Sequence, residues 1–355
     1  ICRLEQADAQ PIEVKPHLST AEELKTELAA MREAYRPFLE NHAPVPESLR
    51  RRIDLTSFLC DGDSVTIPEY SGPIGACKKT YKATFELSAL SAGQSVYVHF
   101  DGADYRAVVA VNDTFVGEHE SFFSPFEFEI TGIVNDGTNR LRIELYNDHI
   151  YMGNDPGGKE ETEGDKLYAA TGLGWDGPLD GWHHCPAGMG IYNRVYVEIR
   201  NSVHTSDLYI RPLDDQAEAW LEIQNDSYDT IPVELSLSLY GQNFHETVFE
   251  DCRYTPETTR FVGMGDSLTE AAVKSELGKG IPMPLKHGKN LYKLKFDLPD
   301  AKLWDLETPY LYQLQAAVLV NGACTDRLAQ QFGMRSFTED TEPDEAGLRG
   351  MFRLN

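Results

Sequence analysis

The sequence predicts an all-β protein built as two successive sandwiches, and three observations carry that prediction. Apolar and polar residues alternate with period two in short runs between residues 81 and 199 and again between 219 and 320, the pattern of strands with one buried face. Clusters such as Ser91-Ala92-Gly93, Asn112-Asp113 and Asn135-Asp136-Gly137 separate the runs, supplying the positive-φ or Asx geometry that reversals need. A chain of 355 residues is also about twice the length that one hydrophobic core usually serves.

Residues 1–50 are predicted to form a helical extension. Ser19 and Thr20 precede Glu22 and Glu23 at capping-box spacing, Leu24, Leu28, Met31 and Tyr35 recur every three to four residues, and Pro37 is expected to end the helix. Residues 51–201 carry strand signals at 81–87, 96–100, 107–111, 126–130, 141–145 and 195–199, which fit an antiparallel jelly roll. Residues 202–336 add runs at 219–223, 233–239, 291–298 and 310–320, which fit an immunoglobulin-like sandwich. Within it Ser267 and Glu270 form a second capping box, with Gly278 and Gly280 following, so a short helical insertion is expected. Residues 337–355 read as an acidic linker, since 336–347 hold five acids and no base.

The strand signal pauses at 147–190, where a long loop carries eight acids between Asp148 and Asp180 against Lys159 and Lys166. Loops of this length are usually functional or disordered. Trp175, Trp182, Tyr151 and Tyr168 argue against disorder, because aromatic side chains need a surface to cover. Two uses stay open: the rings stack on sugar C–H faces while Asp176, Asp180 and His183 bond hydroxyls, or they pin the loop to its own or a neighbouring domain.

Charge and cysteine usage exclude several functions. Lysine and arginine number 32 against 57 aspartates and glutamates, a net charge of −25, which would repel nucleic acid and anionic membrane surfaces. No run has the length and apolarity of a membrane span, and the first 20 residues lack the pattern of a signal peptide. Cysteines 2, 60, 77, 185, 252 and 324 stand far apart with no CxxC, so free thiols and a reducing cytoplasm are expected.

Several motifs tempt and fail. Gly265-Asp266-Ser267-Leu268 matches an esterase element, but the only later histidine, His287, lacks an aspartate three residues before it. Gly172 to Gly177 satisfies GxGxxG yet follows no buried strand and opens no helix. His183 and His184 would point to opposite faces of an extended chain, so they grip no common metal. Asp148, Asp155 and Asp165 lack EF-hand spacing, and a solvated acidic loop is preferred to calcium. Neither a cofactor nor a metal is expected.

Phe100-Asp101-Gly102-Ala103, Ala110-Val111-Asn112-Asp113, His119, the run 122–130 and Asn139-Arg140-Leu141 stand in an order that resembles the sugar-binding domain of glycoside hydrolase family 2, with Asp113 in place of a hairpin glycine. Gly190-Ile191-Tyr192-Asn193-Arg194-Val195 is similar to the motif closing that domain, except that asparagine follows the aromatic residue and the arginine comes one place later. The run 303–312, Leu-Trp-Asp-Leu-Glu-Thr-Pro-Tyr-Leu-Tyr, resembles an element of the family's immunoglobulin-like domain, and Phe332-Gly333-Met334-Arg335 its exit. Met351-Phe352-Arg353-Leu354-Asn355 looks like the lead-in to the family's catalytic TIM barrel. The N-terminal helix and the insertion near 255–290 depart from the pattern.

The resemblance implies the non-catalytic N-terminal part of a retaining exo-β-glycosidase of β-galactosidase or β-glucuronidase type, bracing the barrel and walling one side of the substrate pocket. Both catalytic glutamates of the family lie in the barrel, so no catalytic residue is expected here. In the family the loop before Gly190 approaches the active-site mouth, which implies Trp182, His183, Asp180, Trp175 and Asp176 as substrate contacts. The implied partners are a β-glycoside and the barrel, with homo-oligomerisation left open. The alternative is a free-standing carbohydrate-binding or adhesive module.

Overall fold

A computed structural model describes residues 20–40, 45–70, 78–146, 150–152, 162–165, 189–255, 258–262, 271–272, 276–277, 282–340 and 351–354. Helix α1 (Ala21–Glu40) opens on the expected capping box: the Glu23 amide donates to Thr20 Oγ1 at 3.2 Å, and that hydroxyl donates to Glu23 Oε2 at 3.0 Å. The helix runs three residues past Pro37, where sequence placed its end. Pro37 has no amide to give the Glu33 carbonyl, so the helix continues past it at the cost of one backbone bond.

The first sandwich comprises β1 (Arg50–Leu55), β2 (Ser57–Cys60), β3 (Asp63–Thr66), β4 (Lys78–Leu87), β5 (Gln94–Phe100), β6 (Arg106–Val111), β7 (Thr114–Glu120), β8 (Phe126–Glu129), β9 (Gly137–Tyr146), β10 (Ile150–Met152), β11 (Thr162–Asp165) and β12 (Val195–Asn201). One sheet has the order β1-β12-β5-β8, the other β3-β2-β4-β9-β6-β7, and all their pairings are antiparallel. Alternation in β4 buries Tyr81, Ala83, Phe85 and Leu87, which meet Val96, Val98, Phe100, Val197 and Ile199 of the opposite sheet in one core. The β6–β7 hairpin needs two positive φ values, and Asn112 (49°) and Asp113 (65°) supply them. Asn112 Nδ2 donates to Asn139 Oδ1 at 2.8 Å, tying this hairpin to the turn before β9. Strands β10 and β11 pair with each other inside the stretch that sequence left strandless.

The second sandwich comprises β13 (Val203–Pro212), β14 (Gln216–Asn225), β15 (Ile231–Gly241), β16 (Thr247–Thr255), β17 (Thr258–Val262), β18 (Ala271–Ala272), β19 (Glu276–Leu277), β20 (Met283–Leu285), β21 (Gly288–Asp297), β22 (Tyr312–Val320) and β23 (Ala323–Phe332). Its sheets run β13-β14-β21-β17-β18 and β19-β16-β15-β22-β23, with β20 also on β15, around a second core that includes Leu221, Leu235, Tyr254, Tyr292 and Leu314. The expected helical insertion is corrected here: within it, Ala271–Ala272 and Glu276–Leu277 are extended and pair with β17 and β16. A helix of about ten residues is marginal alone, whereas an open sheet edge offers ladder bonds at once. Likewise β24 (Phe337–Asp340) pairs with β25 (Met351–Leu354) at the ends of the stretch read as a linker.

The two cores are joined through a polar seam. Arg50, at the start of β1, sets a two-pronged fork on the fully buried Asp326 of β23, with Nε to Oδ1 at 2.9 Å and Nη2 to Oδ2 at 2.5 Å. Arg50 also donates to Glu198 at 3.2 Å and to the Thr205 carbonyl, and Asp326 accepts from the Thr205 amide and hydroxyl, each at 2.7 Å. Arg200 forks onto Glu127 and reaches Glu198 at 2.9 Å, while the Tyr97 hydroxyl donates to Asp226 at 2.7 Å. Burial works against the charge on Asp326, but the Arg50 fork and the Thr205 donors hold its pKa below the usual range.

At this seam His204 is fully buried, its Nδ1 2.9 Å from the Asn201 carbonyl. Burial, aided by Arg200 and Arg50 and opposed by Asp226, pushes its pKa from 6.5 down to about 4. The unfolded chain therefore binds a proton between these values that the folded chain refuses, so the contribution of His204 to stability is complete above about pH 6.5 and falls as pH drops toward 4. The loss is on the order of 3 kcal/mol. Urea denaturation at pH 7, 5.5 and 4 is expected to show this fall, and His204→Gln to flatten it in that window.

Candidate functional site

At one end of the first sandwich, the connection after β5, the segment before β4 and the approach to β12 converge, and the chain on either side of 147–190 enters there. Asp104, fully buried, lies at their meeting point. Its amide donates to the Gly190 carbonyl at 3.0 Å, and its Oδ2 accepts from the Tyr70 hydroxyl at 2.9 Å. Gly190 is required by close approach: a Cβ there would lie 2.1 Å from the Glu69 carbonyl oxygen. At Gly102 the neighbour is a side chain instead, since a Cβ there would meet the Tyr192 ring at 2.5 Å. Tyr192 stacks on Phe122 at 4.5 Å and donates to the Phe122 carbonyl. Burial raises the Tyr192 pKa, and the charge of Asp104 adds to the rise.

Beneath this floor lies a second polar group. Lys79 is buried and in phase with Tyr81, Ala83, Phe85 and Leu87, so the strand's alternation carries an ammonium into the interior. Its Nζ is 3.2 Å from Glu69 Oε1 and donates to the Met189 carbonyl at 2.9 Å, while the Tyr81 hydroxyl donates to Glu69 Oε2 at 2.5 Å. Burial, then the Glu69 hydrogen bond, raises the Tyr81 pKa and keeps the phenol protonated. The Glu69 amide donates to the Ile191 carbonyl at 2.8 Å. Glu69 and Lys79 thus grip the backbone of 189–191 on both sides of Gly190.

Chemically, this cluster positions chain. Retaining glycoside hydrolysis needs two carboxyls about 5 to 5.5 Å apart across the scissile bond, one of them free to give and take a proton. Glu69 is committed to an ammonium and a phenol, and Asp104 to a tyrosine hydroxyl. Among the described residues there is no group of three or more histidine, cysteine, aspartate or glutamate side chains able to hold a metal. Cys60, Cys252 and Cys324 are free thiols.

Trp175, Asp176, Asp180, Trp182 and His183 lie outside the described residues, as do Tyr168, Asp148 and Asp155. The motif residues that are described turn out to build turns and close contacts. Asn139 bonds the Asn135 and Gly137 carbonyls, Asp305 accepts from the Glu307 and Thr308 amides, and Gly333 lies where a Cβ would meet Trp304 at 2.9 Å. His119 stacks on Phe126 at 4.3 Å, and burial lowers its pKa. Asp104, Glu69, Tyr70 and Lys79 were not singled out from sequence. A lysine in phase with core positions was the available sign for Lys79; nothing comparable marks Glu69 or Tyr70.

Residues 203–335 match the family model described as Glycosyl hydrolases family 2, and residues 72–191 match that of the glycosyl hydrolase 2 galactose-binding domain-like. A β-galactosidase of Clostridium acetobutylicum is 24% identical over 272 residues, 75% of this chain and 23% of its own length. One of Thermoanaerobacter pseudethanolicus is 25% identical over 258 residues, 72% of this chain and 28% of its own. The chain thus spans about a quarter of the length of these curated relatives. A solved β-glucuronidase of Bifidobacterium dentium, complexed with coumarin-3-O-glucuronide, superposes with a TM-score of 0.58 at 16% identity, over 88% of this chain and 51% of its own, a likeness of fold.

Alanine at Gly190 cannot be accommodated without moving the Glu69 backbone. Gly190→Ala is expected to lower stability by about 3 kcal/mol, read as a shifted urea midpoint with an unchanged slope.

Proposed function

We propose, on the premise that the chain belongs to glycosyl hydrolase family 2, that it is the non-catalytic N-terminal part of a retaining exo-β-glycosidase of β-galactosidase or β-glucuronidase type. In this reading residues 51–201 and 202–336 are two domains that brace a catalytic barrel. The observation that supports it is the anchoring around Gly190. Asp104, Glu69 and Lys79 fasten the exit of the 147–190 stretch to the sandwich. A segment so fastened can present Trp182, His183 and Asp180, with Trp175 and Asp176, to a sugar at little ordering cost. The acid/base and nucleophile would come from the barrel, outside these 355 residues.

Two measurements test the reading. The 355-residue chain alone is expected to show no turnover of 4-nitrophenyl β-galactoside or β-glucuronide; turnover abolished by a substitution within it would overturn the assignment. In the full-length enzyme, Trp182→Ala is expected to lower kcat/KM by about 5- to 150-fold, the equivalent of about 1–3 kcal/mol of lost stacking and orientation. A variant with unchanged kinetics and a lower Tm would make the loop a brace only.

A further inference from the structure

The outer face of the six-stranded sheet of the first sandwich holds a cleft of about 490 Å³, walled by Leu59, Lys82, Thr84, Arg140 and Arg142, with one carboxylate, Asp113, among its walls. It opens where β2 leaves β4. The two strands pair only at Leu59–Lys82 and Cys60–Tyr81, whereas β4 pairs with β9 along all ten of its residues. Beyond Lys82, backbone donors and acceptors of β4 therefore face the cleft without a strand partner among the described residues, an edge that can bond a ligand.

Charge makes the cleft unusual. In the β4–β9 register Lys82 stands directly opposite Arg142, and Thr84 opposite Arg140. Like charges in such pairs lie about 4.5–5.5 Å apart at Cβ and repel. Elsewhere in the same sandwich two arginines also face each other, Arg50 and Arg200, and there Glu198, Glu127 and Asp326 neutralise them. In the cleft the provision is partial, and one cation is left over. Arg142 shares Glu144 with Lys78, Arg140 has the exposed Asp113 at 2.6 Å, and Lys82 has no ion pair among the described residues. On a chain of net charge −25, this cluster of cations runs against the whole composition.

We infer that the cleft is a non-catalytic subsite for a short acidic oligosaccharide of the uronic acid type. Arg142 and Lys82 would take a sugar carboxylate, a fork and a point charge suited to it. Thr84, Ser57 and the open β4 edge would bond ring hydroxyls, and Leu59, half exposed at 50%, would cover a C–H face. The volume suits a ligand of a few rings, and the surrounding negative charge disfavours long polyanions such as nucleic acid. The anionic requirement stands on the cations; the sugar class rests on the glycosidase reading above.

Calorimetric titration of the 355-residue chain with trigalacturonic acid, neutral galactotriose and tricarballylate tests this. Trigalacturonic acid is expected to bind at least tenfold more tightly than the other two and to weaken in 0.5 M NaCl. Lys82→Gln with Arg142→Gln is expected to cut that affinity at least tenfold at an unchanged Tm, while Lys82→Arg keeps it. If the double variant fails to fold, Lys82→Gln alone carries the same comparison. Absent binding, binding untouched by these substitutions, or galactotriose binding equally well would overturn the proposal. Tricarballylate binding as tightly would reduce the cleft to a general anion site and overturn the sugar assignment. No hydrolysis is read, so each outcome is independent of the chromogenic assay.

Discussion

The fork of Arg50 on Asp326 is the contact on which the placement of the two sandwiches depends. An isolated carboxylate with no exposure would be very costly, and Asp326 is tolerable only because a guanidinium from the other sandwich and two Thr205 donors satisfy it. Removing one partner of such a pair typically costs about 3–5 kcal/mol, although an apolar replacement of both can be neutral. Its contribution is accordingly one of direction. A greasy seam would let the sandwiches slide, whereas a planar fork accepts one orientation. Tyr97–Asp226 and the Asn201 side chain on the Thr325 carbonyl, at 2.5 Å, fall into register with it.

The same logic recurs at the far end of the first sandwich with the opposite purpose. The Lys79 ammonium and the Glu69 and Asp104 amides are spent on carbonyls of 189–191, and the Glu69 and Asp104 carboxylates on Lys79, Tyr81 and Tyr70 around them. Buried polar groups here define where a segment is fastened. Loops that carry function are commonly held this way, by a rigid scaffold at their roots.

How much of this was legible in the sequence follows from burial. Strands such as β4, β9 and β14 alternate visibly because one face meets a core and the other is more exposed, while β5, β6 and β22 read as strands from their runs of apolar residues. Strand β1 is Arg-Arg-Arg-Ile-Asp-Leu, and β13 and β23 are similarly polar. Of these, β1 offers only Ile53 and Leu55, β13 breaks its register between Thr205 and Asp207, and β23 buries only Asp326 and Phe332, so none of the three shows a period-two apolar run and they were missed. The family motifs were readable, but their residues proved to be turn builders such as Asn112 and Asn139 or close-approach glycines such as Gly190. Sequence thus located the frame, while the cluster around Asp104 arises from segments that meet only in three dimensions.

One consequence reaches back to the making of the chain. Arg50 and Asp326 are 276 positions apart, and β1 closes its sheet against β12, near residue 200. A ribosome adding about 5–20 residues per second therefore leaves Arg50 without its carboxylate for about 14 to 55 seconds after it is added. The first sandwich can assemble in that interval with Arg50, Arg200 and Tyr97 on an open flank. The orientation of the two sandwiches is therefore fixed only once β23 has been made and Asp326 has met Arg50.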